Sequence, residues 1–254
     1  MIKPIEFQNG SGLALRGFIH EPNSYETAVV FLHGFPASNN YAVSTRIGES
    51  LEKLNYLVVR FEFNGTNTSD GEFDNKLMSE EVKDVKSAID FLDSKYKFKK
   101  LILVGHSTGA IDAALYSYQD DRIDKLVLLG GVGNLKEAVS YDFSEEEVNE
   151  FLINGYYTFK TENHWTFNKK LNKAFYDEFF TLDVLGSLNK FENPVLIIHG
   201  ENDEVVSVSK DPIELNEAAK NSRLVIIKNA DHKFLDPAHW EELISEVDNF
   251  IRIE

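Results

Sequence analysis

Residues 105–109, Gly-His-Ser-Thr-Gly, have types and a spacing that could perform nucleophilic chemistry. They lie between an apolar run, Leu101–Val104, and a helix-compatible stretch, so they predict a nucleophile elbow that joins a strand to a helix. In so tight a turn the serine takes a strained backbone conformation, and side chains two positions before and after it would clash. The helix N-terminus beside Ser107 would favour developing negative charge. Ser107 is therefore the candidate nucleophile.

A serine hydroxyl is a weak nucleophile and needs a base, which must itself be oriented by an acid. His232 follows the last apolar run and precedes a C-terminal helical stretch, so it is the candidate base. Asp203 follows the preceding apolar run, three residues after Gly200, and is the candidate acid. Glu201 and Glu204 are its local rivals. Serine, acid and histidine thus occur in the chain order that a strand–elbow–helix site requires.

Acyl chemistry also needs two backbone N–H donors for the oxyanion that forms. Thr108, the residue after the nucleophile, supplies one of them. The second is expected after the third apolar run, where Gly34 lets the backbone approach and Pro36 has no N–H to donate. The amide of Phe35 is therefore the candidate second donor.

A sheet must position these residues, and the apolar runs predict its strands. Several runs from residue 28 onward are continuous Val, Ile and Leu, as strands covered on both faces require. Helical periodicity separates them, for example over Val82–Leu92 and Trp240–Ile251. This alternation predicts an α/β fold with a mostly parallel sheet of about eight strands flanked by helices. The predicted strands are Ile2–Phe7, Ala14–His20, Ala28–Leu32, Leu57–Phe63, Leu101–Val104, Lys125–Leu129, Val195–His199 and Leu224–Lys228.

One region interrupts the alternation. From about Gly133 to Phe191 the chain has no strong strand pattern and is rich in aromatic residues. A segment of this length between two core strands predicts an insertion with its own small fold. Its aromatic side chains either pack the insertion onto the core or wall an aryl or acyl pocket. We therefore expect a core formed by residues 1–132 and 191–254, and an inserted cap formed by residues 133–190.

Four motifs in this order resemble serine esterases of the α/β-hydrolase superfamily over nearly the whole chain. They are His33-Gly34-Phe35, Gly105-His106-Ser107-Thr108-Gly109, Gly200-Glu-Asn-Asp203 and Asp231-His232-Lys-Phe234. Of the motif-embedded residues, His33 and His106 are interpreted as structural rather than proton-transferring.

Two further features resemble the cinnamoyl/feruloyl esterase and small carboxylesterase branch of that superfamily. One is the segment Arg60–Phe73, and the other is the insertion that precedes Val195. Relatives carry Gly-x-Gly-x-Ser in the first segment, and Asn67 stands here at the second glycine. Asn tolerates a left-handed backbone, so it can serve in that position. The resemblance implies that residues 133–190 form a cap that sets substrate choice.

The predicted function is a serine hydrolase that cleaves carboxylic esters of small acyl or aryl/cinnamoyl type through an acyl-enzyme. Thioester cleavage, amide cleavage and acyl transfer remain open alternatives, because fold and triad do not separate them. A non-catalytic binding protein of this fold is a further alternative. A small-molecule ester is the expected partner, and the sequence leaves a homodimer open.

Composition excludes several other classes of site. The absence of cysteine removes disulfide scaffolds, thiolate zinc sites, iron–sulfur clusters and a cysteine nucleophile. No histidine pair has metal-ligand spacing with a third ligand nearby, so neither a metal nor a cofactor is expected. A net charge of −16 disfavours nucleic acid and suits a neutral ester. Without a membrane-length apolar run or an apolar signal core, a soluble, cytoplasmic protein with no membrane partner is expected.

Overall fold

The structure is a computed structural model that describes residues 1–38 and 41–253. Its strands are β1 (Ile2–Gln8), β2 (Ala14–His20), β3 (Thr27–Leu32), β4 (Leu57–Phe61), β5 (Lys100–His106), β6 (Lys125–Leu129), β7 (Tyr156–Thr158), β8 (Lys170–Asn172), β9 (Val195–Gly200) and β10 (Ser222–Ile227). Eight of them form one sheet in the order β1-β2-β4-β3-β5-β6-β9-β10. β2 runs antiparallel to both of its neighbours, and the remaining pairs are parallel. The predicted α/β fold with a mostly parallel sheet is confirmed.

Helices cover both faces of this sheet. They are α1 (Ala42–Lys53), α2 (Met78–Lys95), α3 (Thr108–Ser117), α4 (Leu135–Asp142), α5 (Glu145–Asn154), α6 (Lys173–Glu178), α7 (Val184–Leu188), α8 (Asp211–Ala218) and α9 (Pro237–Arg252), with a short 3₁₀ helix at Phe73–Asn75. Within the described part of the chain, no helix is both long enough and apolar enough to cross a bilayer.

The continuous apolar strands follow from this two-sided cover. Successive side chains of a strand point to opposite faces, so a strand with helices on both sides must be apolar at every position. Val29 and Phe31 of β3 pack in the layer formed with α1 and α9. Val30 and Leu32 of the same strand pack in the layer formed with α2 and α3.

Residues 133–190 form the connection between β6 and β9 and contain α4 to α7. They also contain an antiparallel pair, β7 and β8, that the sequence pattern did not indicate. Each of these strands has three residues, too few for a period-two pattern to be distinguished from chance. Helix α5 begins with a capping box between Ser144 and Glu147, which stabilises its first turn.

Asp112 is a fully buried carboxyl on α3, the helix that follows the elbow, and neither of its oxygens has a hydrogen-bond partner within the described residues. Burial raises the pKa of Asp112 well above its usual range, and the neighbouring Glu81 carboxyl raises it further. The folded state therefore holds this proton more tightly than the unfolded chain does. The more tightly held proton of Asp112 adds to the free energy of unfolding. This contribution is complete below the ordinary carboxyl pKa of about 4 and declines as pH rises.

We expect the free energy of unfolding of Asp112→Asn at pH 8 to exceed that of the wild type by about 1–3 kcal/mol, because the variant has no carboxyl group to neutralise on burial. The difference should shrink at pH 5, where the wild-type carboxyl keeps its proton more fully. Thermal unfolding at several pH values measures both effects. Asp121→Asn makes the same change of charge at an exposed position and is the matched control. A difference between Asp112→Asn and the wild type that does not vary with pH would contradict the assignment.

Candidate active site

Ser107 lies in a sharp turn between the end of β5 and the first residue of α3. Its backbone has φ 56° and ψ −124°, a conformation that a residue with a side chain rarely adopts. A Cβ at Gly105 would lie 2.2 Å from the Gly109 carbonyl oxygen, and a Cβ at Gly109 would lie 2.3 Å from the Leu32 carbonyl oxygen. Both glycines are therefore required sterically, and the turn has the geometry of a nucleophile elbow.

Asp203 and His232 come together at the carboxyl ends of β9 and β10. The Nδ1 of His232 donates to Oδ2 of Asp203 at 2.8 Å, and the Nε2 of His199 lies 3.1 Å from the same oxygen. The other oxygen, Oδ1, accepts the backbone N–H groups of Val205 and Val206 at 2.9 and 2.8 Å. Burial alone would raise the pKa of Asp203, but the hydrogen bonds from His199 and His232 outweigh it and hold that pKa well below its usual range. Asp203 is thus an ionised acceptor for the His232 ring.

The neighbouring acids bind backbone amides of the histidine loop instead of the imidazole. Glu204 Oε2 accepts the backbone N–H of His232 at 3.2 Å, and Glu201 Oε2 accepts that of Asn229 at 3.0 Å. Asp231 accepts two N–H groups of its own turn. Of the three carboxylates in the loop after β9, Asp203 is the one whose side chain contacts the His232 ring.

The Phe35 and Thr108 amides both lie beside Ser107. Thr108 follows the serine directly, and the loop after β3 passes so close that a Cβ at Gly34 would lie 2.8 Å from the Ser107 Cβ. Neither the Phe35 amide nor the Thr108 amide donates a hydrogen bond to any partner within residues 1–38 and 41–253. Both N–H groups are therefore available to an oxyanion formed at Ser107.

His33 and His106 are buried and neutral at pH 7. The Nδ1–H of His33 donates to the Gly34 carbonyl at 2.9 Å, and burial lowers the pKa of His33 to about 4. Burial, reinforced by the charge of His232 when protonated, lowers the pKa of His106 to about 3. The Nε2–H of His106 donates to the backbone carbonyl of His232 at 2.9 Å. These contacts hold the two loops that carry Phe35 and His232.

His199 was not anticipated as part of this site. His199 is fully buried, and its Nε2 lies 3.1 Å from Oδ2 of Asp203 and 3.2 Å from the Val206 carbonyl oxygen. The sequence feature that could have predicted this contact is the position of His199, four residues before Asp203 and at the end of the strand that leads into the loop carrying Asp203. A residue at the carboxyl end of a strand lies at the same edge of the sheet as the loop that follows the strand, which places His199 within reach of Asp203.

A cavity of about 510 Å³ contains Ser107 and His232 in its wall. Among the described residues of 133–190, Tyr141 and Asp142 line it. The fully buried aromatic rings of that segment pack with one another and with the core instead. They are Phe151, Phe175 and Phe179.

Charge is not concentrated at this cavity. Apart from histidines and tyrosines, its ionisable lining in the described part of the chain is Asp142 and Lys233. The net charge of −16 therefore lies mainly elsewhere on the molecule. A negative potential at the mouth of the site does not follow from these residues.

Asn67 adopts the left-handed backbone expected from its position, with φ 43°. Its side-chain amide donates to Oε1 of Glu62 at 3.0 Å, so the segment after β4 is fastened to a buried carboxylate. Within the described residues, no group of three or more His, Asp or Glu side chains is arranged to hold a metal ion.

The family described as the alpha/beta hydrolase fold matches residues 27–164, more than half of the chain. The chain therefore belongs to that family. The matched region contains the Phe35 loop and the Ser107 elbow, whereas Asp203 and His232 lie beyond it. This membership confirms the superfamily predicted from the motifs.

Individual relatives include esterases and a thioesterase. The bifunctional esterase/perhydrolase DCH of Acinetobacter calcoaceticus is 27% identical over 238 residues, which cover 80% of this chain and 84% of that protein. The mitochondrial palmitoyl-protein thioesterase ABHD10 of Bos taurus is 24% identical over 227 residues, covering 88% and 72%. Est1E of Butyrivibrio proteoclasticus, solved with ferulic acid bound, matches with a TM-score of 0.82 at 20% identity over 97% of both chains. The match to Est1E, at 20% identity, concerns the fold alone. The esterase and thioesterase relatives together support a hydrolase.

Proposed function

We propose that this protein is a serine hydrolase that cleaves carboxylic esters through an acyl-enzyme. The observation that carries the proposal is the hydrogen bond between His232 and an ionised Asp203, made at a cavity whose wall also holds the strained Ser107. An oriented imidazole beside an elbow serine is the arrangement that activates a hydroxyl for acyl transfer.

The Ser107 oxygen attacks the ester carbonyl carbon while Nε2 of His232 takes its proton. The carbonyl oxygen becomes an oxyanion, which the Phe35 and Thr108 amides stabilise. As the C–O bond of the ester breaks, His232 returns the proton to the leaving alcohol. Water then repeats the sequence on the acyl-enzyme, releasing the carboxylic acid and restoring Ser107. Asp203 keeps the proton on Nδ1 throughout and stabilises the imidazolium.

Residues 133–190 act in this proposal as a cap that supplies Tyr141 and Asp142 to the cavity. The volume of about 510 Å³ suits a small acyl or aryl group. Asp142 is half-buried, and burial raises its pKa to about 7. It offers a hydrogen-bond partner to a substrate hydroxyl, as on an aryl or cinnamoyl ester.

Asp142 should make the KM of an apolar ester depend on pH. The carboxyl ionises as pH rises through about 7, and covering an ionised carboxylate with an apolar acyl group carries a desolvation cost. We expect KM for p-nitrophenyl butyrate to rise about 3–10-fold between pH 6 and pH 8 in the wild type. Asp142→Asn, which stays neutral, should lose that rise. Steady-state kinetics across pH measures it, and an equal rise in the variant would refute the role of Asp142.

Substrate class is tested by a panel of p-nitrophenyl esters of increasing chain length, run beside methyl ferulate and a palmitoyl thioester. Turnover of oxygen esters with little response to the thioester supports the proposal. Preference for the thioester supports the second candidate, a thioesterase, which the likeness to palmitoyl-protein thioesterase ABHD10 favours. A flat response to ferulate would remove the cinnamoyl substrate and leave the esterase.

A further inference from the structure

We propose that Trp165 and His164 of the 133–190 segment position the loop that carries the Phe35 oxyanion donor. The segment would then belong to the catalytic geometry as well as covering the cavity. This inference rests on the proposed function, because it assigns a role to the oxyanion site of that reaction.

The first contact is a hydrogen bond from the Trp165 side chain to the loop. The indole Nε1–H of Trp165 donates to the Pro36 carbonyl oxygen at 2.9 Å. Pro36 directly follows Phe35, so this bond holds the loop one residue beyond the one that offers the free N–H. The Trp165 ring itself is supported by an edge contact with Phe73, with ring centroids 5.2 Å apart.

The second contact joins His164 to Tyr41. The Thr166 backbone N–H donates to Nδ1 of His164 at 3.3 Å, so the ring proton is on Nε2. From there His164 donates to the Tyr41 hydroxyl. Tyr41 directly precedes α1, so the segment contacts the described chain at Pro36 and again at Tyr41.

The Phe35 side chain makes a third connection. Its ring stacks on Phe175 of α6, with centroids 4.8 Å apart and 28° between the planes, and meets the edge of Phe159 at 6.0 Å. The amide of Phe35 is the proposed oxyanion donor, and its ring packs against the segment. An oxyanion donor has to be placed within a few tenths of an ångström. The contacts between the segment and the loop therefore affect the rate of the reaction, because they fix the position of the Phe35 N–H.

Trp165→Phe tests this role, because it removes the indole N–H and keeps an aromatic ring against Phe73. We expect kcat to fall about 5–20-fold with KM within about twofold, because the oxyanion exists in the transition state and not in the bound ester. The fall should be similar for p-nitrophenyl acetate and butyrate. The rate of covalent labelling by a fluorophosphonate probe should fall by a similar factor, since that reaction also places negative charge on an oxygen at Ser107.

Trp240→Phe is the matched control. The Trp240 indole donates to Ser50 Oγ at 3.0 Å, between α9 and α1, so this variant loses an equivalent hydrogen bond away from the site. It should lower the unfolding temperature and leave kcat unchanged. Tyr41→Phe, which removes the hydroxyl that His164 binds, should also lower kcat, and kcat is the criterion for this variant because Tyr41 lines the cavity.

Unchanged kcat in both Trp165→Phe and Tyr41→Phe, with lowered unfolding temperatures, would overturn the inference and leave these contacts purely structural. A change confined to KM for one acyl chain would also overturn it, because Trp165 would then act in substrate binding. If the wild type neither turns over any ester nor reacts with the fluorophosphonate, the proposed function fails and this inference fails with it. If the wild type is labelled by the fluorophosphonate but turns over no ester, the variants are compared by their labelling rates. Equal labelling rates in the wild type, Trp165→Phe and Tyr41→Phe would then refute the inference.

Discussion

Ser107→Ala is expected to lower kcat for p-nitrophenyl acetate by at least ~10³-fold while the protein remains folded. The reason is that the attacking oxygen is lost, whereas the Phe35 and Thr108 amides and the cavity stay in place. The residual rate would come from those amides and from substrate binding. Steady-state kinetics measures the fall, and circular dichroism with thermal unfolding confirms the fold.

Ser117→Ala is the matched control for this variant. Ser117 is a buried serine at the other end of α3, where its hydroxyl donates to the Ala114 carbonyl at 3.4 Å. Its loss should leave turnover and fluorophosphonate labelling unchanged. Ester turnover at the wild-type rate in Ser107→Ala would show that another group attacks the ester, and the acyl-enzyme proposal would be abandoned.

Asp203→Asn is expected to lower kcat by about 10²–10⁴-fold, because it changes which ring nitrogen of His232 carries the proton. Two backbone N–H groups point at Oδ1, so the asparagine carbonyl oxygen will occupy that place. The asparagine NH₂ then faces His232 and His199. A donor there requires an unprotonated Nδ1 on His232, which moves the ring proton to Nε2. An imidazole with its proton on Nε2 cannot accept the proton of Ser107.

Glu204→Gln provides the comparison for the acid. Glu204 accepts the His232 backbone N–H, and a glutamine carbonyl can accept the same bond. Its kcat should therefore stay close to the wild-type value. The reverse outcome, with an active Asp203→Asn and an inactive Glu204→Gln, would transfer the acid role to Glu204. NMR of the imidazole nitrogens would report the tautomer of His232 directly.

Local sequence patterns sufficed for the sheet and the elbow. The buried strands are continuous Val, Ile and Leu because helices cover both faces, and this requirement is visible in each strand separately. The elbow needs Gly105 and Gly109 because their Cβ atoms would overlap backbone within the turn or on β3. Such constraints act over a few residues, so the residue types themselves carry them. The left-handed Asn67 was predictable for the same reason.

Contacts between distant segments were decided by the tertiary structure. Three carboxylates lie within residues 201–204, and the path of that loop, not the residue types, brings Asp203 to the His232 ring. The same holds for His199, which reaches Asp203 from the strand end. Most large aromatic rings of residues 133–190 pack in the interior, although their composition suited a pocket wall equally well.

The sequence by itself therefore determined the fold class, the candidate nucleophile and a short set of candidate partners. The tertiary structure decided which acid faces the imidazole, that Tyr141 and Asp142 reach the cavity, and that Trp165 binds a loop 129 positions away. The physical reason is the separation along the chain over which each kind of constraint acts. Steric and periodic constraints act between near neighbours in the chain, whereas a hydrogen bond between remote residues depends on how every intervening element packs.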